Sequence, residues 1–200
     1  MNSPQPGILA AVPPQARYLT FALKPRAKPQ RSLAALAALA DGDACVVGLG
    51  QSALAACGAQ IDGMRPFPAF AGAGFDVPST PAALWCWLRG ADRGALVHLA
   101  RRIEAAVAPA FALESAVDAF RHDGGRDLSG YEDGTENPRG RKAQAAALAG
   151  GASYVAVQQW VHDFARFEAM SGREQDHAIG RRRRDNVELD AAPASAHVKR

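Results

Sequence analysis

Apolar and polar positions change period several times along the first 120 residues. Tyr18 to Leu23 alternates, the period-2 mark of a strand with one buried face. Ser32 to Ala40 is rich in alanine and leucine and predicts a helix, with Ser32 as its N-cap and Asp41-Gly42-Asp43 as its end. Ala44 to Leu49 is a short continuous apolar run that suits a buried strand, and Ser52 to Cys57 predicts a short helix stopped by Gly58. From Gly63 to Pro81, Arg65-Pro66-Phe67-Pro68 and Gly72-Ala73-Gly74 interrupt any regular element. Ala83 to Leu88 reads as another strand. From Asp92 or Arg93 to Ala108, Leu96, Leu99, Ile103 and Val107 recur at helical spacing, with Arg101, Arg102 and Glu104 off that stripe. Phe111 to Phe120 returns as a strand. Strand, helix, strand, then strand, helix, strand is the order of a ferredoxin-like α+β unit.

The pattern is less regular in the rest of the chain. Gly140 to Ala149 predicts a basic, alanine-rich helix, Tyr154 to His162 a strand, and Asp163 to Met170 a helix. Ser171-Gly172-Arg173-Glu174 offers a capping box for a further short helix. From Arg181 onward polar and charged residues dominate.

Composition adds bounds to this picture. A chain of 200 residues, 48% hydrophobic and 22% charged, is globular and long enough for one large domain or two small ones. A net charge of +3 does not call for nucleic acid. No apolar run reaches the roughly 18 residues of a membrane helix. Met1 to Pro14 has no basic residue, and Pro13-Pro14 interrupts its apolar stretch, so the expected compartment is cytoplasmic. Cys45, Cys57 and Cys86 lack zinc-like spacing, and Cys45 and Cys86, inside apolar strand-like runs, are expected to be buried thiols.

The segment with the most chemistry is Gly130-Tyr131-Glu132-Asp133-Gly134-Thr135-Glu136-Asn137-Pro138. On backbone grounds alone it is an Asp-Gly turn in which Asp133 caps a local N–H. As a motif it resembles the GxxDG signature of the dye-decolourising (DyP-type) haem peroxidases, and Thr135 to Pro138 extends the match to bacterial members. Asn186-Val187-Glu188-Leu189-Asp190, followed by Pro193 to Arg200, resembles the segment with that family's proximal haem histidine. Val155 to Asp163 and Glu174 to Arg181 also resemble family segments, in the same order.

The resemblance implies an α+β fold of tandem ferredoxin-like halves, 1–125 and 126–200, the second incomplete. It implies one haem b per chain, with His197 as the axial iron ligand. Asp133 takes the role of distal acid–base residue, moving a proton between the two oxygens of hydrogen peroxide. Cofactor contacts carry over to Gly134, Thr135, Glu136 and Asn137. Arg181 would face a haem propionate, since guanidinium pairs with carboxylates, although the run Arg181 to Arg184 also reads as a solvated loop. The implied activity is reduction of hydrogen peroxide with oxidation of dyes or phenols, in a homo-oligomer when full length, with no nucleic acid and no membrane as partner. Family members continue past the histidine with a distal arginine and further strands. Here three residues follow His197, so the expectation is a C-terminally truncated fragment in which no residue takes the distal-arginine role. Two other functions fit such a fragment: a non-catalytic haem-binding protein, or a cofactor-free ferredoxin-like interaction module. Trp85, Trp87, Trp160, Tyr131 and Tyr154 are candidates for electron relay, with burial in the core the commoner role for strand tryptophans.

Overall fold

A computed structural model of the chain describes residues 3–72, 75–148, 153–158 and 161–199. It divides into two compact units, Met1–Phe120 with Arg139–Ala156, and Arg121–Pro138 with Val157–Arg200. The first unit holds β1 (Gln15–Leu23), α1 (Gln30–Ala37), β2 (Cys45–Leu49), α2 (Gln51–Ala56), β3 (Phe70–Gly72), β4 (Phe75–Val77), β5 (Leu84–Gly90), α3 (Arg93–Val107), β6 (Phe111–Phe120) and α4 (Arg141–Ala147). The second holds α5 (Phe164–Glu168), α6 (Gly172–Ile179) and a 3-10 turn at His197–Lys199.

The main sheet runs β2-β5-β1-β6, and all three neighbouring pairs are antiparallel. With β3 and β4 set aside as a separate hairpin, this is the strand order of a ferredoxin-like unit. Strand alternation decides what each face carries. Leu19, Phe21, Leu84, Cys86, Leu88, Cys45 and Phe111 lie in one buried cluster with Leu36 of α1 and Leu96, Ala100, Ile103 and Val107 of α3. Each large side chain fully buried there contributes roughly 1.5–3 kcal/mol. Trp85, Trp87 and Arg89, at the alternate positions of β5, point away from that cluster. Trp85 and Trp87 are half-buried on the second face and stack on Tyr18, at 5.9 and 6.3 Å between ring centroids. Helix α3 starts where expected, because the Asp92 carboxylate accepts the Ala95 N–H at 2.6 Å.

Several elements depart from the sequence expectations. Helix α1 starts at Gln30 behind Pro29, and Ser32 is a buried residue of the helix rather than its N-cap. Proline's fixed φ suits the start of a helix and moves it upstream. The Gly- and Pro-rich stretch holds the hairpin β3–β4, in register Phe70↔Val77. A Gly-rich step ends one strand and equally allows the chain to reverse into the next. The strand expected over Tyr154 to His162 is absent among its described residues, where Tyr154, Val155, Val157 and Val161 are exposed. Alternation specifies a strand only when a sheet edge and a covering layer are there to use it. Gln159 and Trp160 lie outside the described residues, as does the end of the helix expected to reach Ala149.

Candidate functional site

The second unit has little apolar core and places its chemistry in loops. Gly130 and Gly134 take φ of 87° and 68°, the left-handed region that glycine enters without cost, so the chain turns tightly on each side of Asp133. Tyr131 is buried between them in sequence, and its hydroxyl donates to Asp176 Oδ1 of α6 at 2.6 Å. Its ring meets the edge of Phe167 at 6.1 Å and the Arg183 guanidinium at 4.9 Å. Burial first, and then the Asp176 carboxylate, push the Tyr131 phenol well above its ordinary pKa. It stays a neutral donor.

Helix α6 is set by the capping box that the sequence announced. The Ser171 hydroxyl accepts the Glu174 N–H, and Glu174 Oε2 accepts the Ser171 N–H at 2.7 Å. Buried Gln175 donates to the carbonyls of Phe167 and Met170 and accepts from Arg183 at 2.6 Å. Gly180, at φ 93°, ends the helix in the left-handed conformation.

The three acids of the loop have different surroundings. Glu132 accepts from Arg126 and from Asn186 Nδ2, both at 3.0 Å. Glu136 pairs with Arg181 at 3.0 Å. Exposed Asp133 accepts only the Gly134 N–H, at 2.7 Å, and no side chain among the described residues pairs with it. Thr135 Oγ1 accepts from Asn186 at 2.7 Å, and the Asn137 N–H donates to the Gly134 carbonyl at 3.1 Å. Arg181 also donates to the Asn186 carbonyl at 3.0 Å and lies 3.5 Å from Glu188, so Glu136 and Glu188 are its anionic partners. Each member of the four-arginine run has a partner, although Arg183 and Arg184 stay exposed: Arg182 and Arg184 pair with Asp185, and Arg183 holds Gln175.

His197 opens its 3-10 turn with its side chain exposed, and no partner for it is found among the described residues. Its neighbours are fixed on each side. Ala196 is fully buried, Val198 and Ala196 occupy the space where Gly180 would carry a Cβ, and Lys199 pairs with Glu188 at 2.6 Å. That lysine hydrogen bond first, and Arg181 as a weaker influence, lower the Glu188 pKa. The structure thus brings Thr135, Glu136 and Arg181 together, and links Arg181 through Glu188 to the turn of His197. Asp133 and His197 share no hydrogen bond.

Sequence reasoning missed Asn186, Asp176, Gln175, Arg126 and Glu188 as parts of this site. For Asn186 a signal existed: asparagine is one of the few non-glycine residues that accept positive φ, and Asn186 sits at 57°. His162, rather than pointing to a site, pairs with Asp127 at 3.2 Å and stacks on Phe164. A cleft of about 290 Å³ lined by Leu54, Ala55, Ile61 and Met64 lies in the first unit and contains none of the candidate residues. Among the described residues no three His, Cys, Asp or Glu side chains gather as a metal site, and no helix is long and apolar enough to cross a membrane.

Known proteins match this arrangement. The family signature described as Dyp-type peroxidase, C-terminal, matches residues 124–200. The Dye-decolorizing peroxidase of Mycobacterium tuberculosis is 38% identical over 144 residues, which cover 68% of this chain and 43% of that protein. A dyp-type peroxidase protein from Shewanella oneidensis superposes with a TM-score of 0.89 at 26% identity, over 100% of this chain and 72% of that one. A Rhodococcus jostii DypB variant solved in complex with heme gives a TM-score of 0.83 at 28% identity, over 98% of this chain and 71% of that one. This chain therefore spans under half the length of the M. tuberculosis relative. With its ferredoxin-like sheet, its GxxDG loop and these relatives, the chain belongs to the DyP-type peroxidase family.

Proposed function

We propose that the chain is part of a haem-dependent peroxidase, with His197 as the iron ligand and Asp133 as the acid–base residue. The observation that carries this is the selective freedom of Asp133. Its neighbours Glu132 and Glu136 are both taken up by cationic or amide partners, and Asp133 has only a backbone amide. A carboxylate without such partners keeps its oxygens available to exchange a proton with a bound peroxide.

The donor set fits a haem. The exposed imidazole of His197 would serve as the one protein donor that a haem iron needs. His197 is exposed and held in place by its buried or paired neighbours. Haem, when bound, supplies the redox chemistry of peroxide cleavage. The Asp133 carboxylate would accept the proton of one peroxide oxygen and return it to the other. Gly134, Thr135, Glu136 and Asn137 form the backbone rim beside it. Arg181, already paired with Glu136 and Glu188, would meet a propionate by exchanging one of those partners. Organic reductants such as dyes or phenols supply the electrons.

A haemin titration followed by visible absorption, with His197→Ala in parallel, tests the reading. A one-to-one Soret shift that the variant loses is expected, followed by a roughly 10²–10⁴-fold slower peroxide reaction in Asp133→Asn. A shift without turnover would assign a haem-binding role alone. No specific shift in a folded chain would remove the haem reading for this chain.

A further inference from the structure

We infer that Asn186 is a positioning residue that fixes the direction of Asp133 by clamping the loop on both sides of it. The inference rests on the role proposed above for Asp133. The carboxamide nitrogen of Asn186 has two N–H donors, and both are used: one reaches Glu132 Oε2 at 3.0 Å, the other Thr135 Oγ1 at 2.7 Å. Asp133 lies between these two residues. Its own carboxylate holds only the adjacent Gly134 amide, so the loop backbone sets where it points.

The clamp is anchored at its base. The Asn186 N–H donates to the Arg182 carbonyl at 2.8 Å, and its own carbonyl accepts from Arg181 at 3.0 Å. Both contacts tie it to the segment that leaves α6. Its φ of 57° turns the side chain out of that segment, in a conformation that most residues resist and asparagine tolerates. Glu132 is held again from the other direction by Arg126, so the carboxylate is fixed between two donors. Swapping nitrogen and oxygen in the carboxamide would set an acceptor against the Glu132 carboxylate, so the donor assignment follows from the partners.

Three substitutions separate the clamp from the backbone. Asn186→Gly keeps the positive φ and removes both donors. Asn186→Asp keeps the shape but places a carboxylate against Glu132. Thr135→Val removes one acceptor without touching residue 186. The readout is amide hydrogen exchange by NMR on the labelled chain without haemin, together with the resonance of the Gly134 amide that donates to Asp133. Exchange over residues 132–136 is expected to rise roughly tenfold or more in Asn186→Gly. Asn186→Asp is expected to show the same rise, and the Gly134 resonance to move toward its unstructured position, while β1 and α3 keep their protection. Unchanged exchange at 132–136 in both Asn186→Gly and Thr135→Val would overturn the inference. Should Asn186→Gly lose protection throughout, Thr135→Val decides: local loss supports the clamp, and parental behaviour removes it. A haemin titration reports separately. A parent chain that takes up no haemin defeats the peroxidase role of Asp133 and leaves the exchange result to judge the clamp.

Discussion

The two units of this chain are held together by different physics. In the first, Leu19, Phe21, Leu84, Leu88, Ile103, Val107 and Phe111 are almost fully withdrawn from water in one cluster. In the second, the buried residues among those described are Tyr131, Gln175, Gly180 and Ala196, and the rest of the order comes from hydrogen bonds and ion pairs. Apolar burial is non-directional and gives stability. A hydrogen bond nets only about 0.5–1.5 kcal/mol, and an exposed ion pair about 0–1 kcal/mol, but each fixes a direction. The sheet unit is therefore built for stability. The loop unit is built to hold polar groups at chosen angles, which is what the proton transfer proposed for Asp133 requires.

The largest expected effect lies in the sheet unit. Ile103→Ala should cost about 2–5 kcal/mol in urea unfolding followed by tryptophan fluorescence, because a fully buried branched side chain leaves a cavity between α3 and the sheet. A loss below about 1 kcal/mol would break the claim that this cluster carries the unit.

Gly180→Ala should have an intermediate effect, about 1–3 kcal/mol, from strain at positive φ plus a collision of the new methyl with Val198 and Ala196. It should appear as faster amide exchange over residues 196–199 and weaker haemin uptake. Gly58→Ala is the control: its φ of 71° is equally unsuited to alanine, but open space surrounds it. Equal effects at both positions would show that packing of the His197 turn on Gly180 contributes nothing.

The smallest effect is a dependence on pH. The folded pKa values of Glu174, Asp185 and Glu188 are lowered, chiefly by the Ser171 hydroxyl, the Arg182 guanidinium and the Lys199 ammonium respectively. A lowered carboxylate pKa gives stability that is complete above the unfolded value, about 4. It fades as pH falls through the folded value. Amide protection around residues 171–175 and 181–189 should thus weaken below about pH 4 while β1 and β5 stay protected. Simultaneous loss in both units would sink the contrast between them.

The sheet unit was largely legible beforehand. The runs at Tyr18, Ala44, Ala83 and Phe111 each became a strand, and the Leu96, Ile103, Val107 stripe became the buried face of α3. Each depends on a period within a short window, and burial rewards that period directly. The strand expected at Tyr154 did not form among its described residues, because alternation says nothing about whether a sheet edge is available. The layer that Trp85 and Trp87 join was likewise settled by the fold. Strand alternation puts them opposite Leu84, Cys86 and Leu88, so they stack on Tyr18 outside the main cluster.

The loop unit was legible as a motif and opaque as a device. The sequence alone determined the strand and helix periods, the capping box at Ser171 and the GxxDG segment around Asp133, all of which are local patterns. Only the tertiary structure decided that Asn186 spans to Glu132 and Thr135, that Tyr131 is pinned by Asp176, and that the turn of His197 rests on Gly180. Such contacts join residues far apart in sequence through single directional bonds. A directional bond leaves no period behind, so it appears only once the chain has brought its partners within about 3 Å.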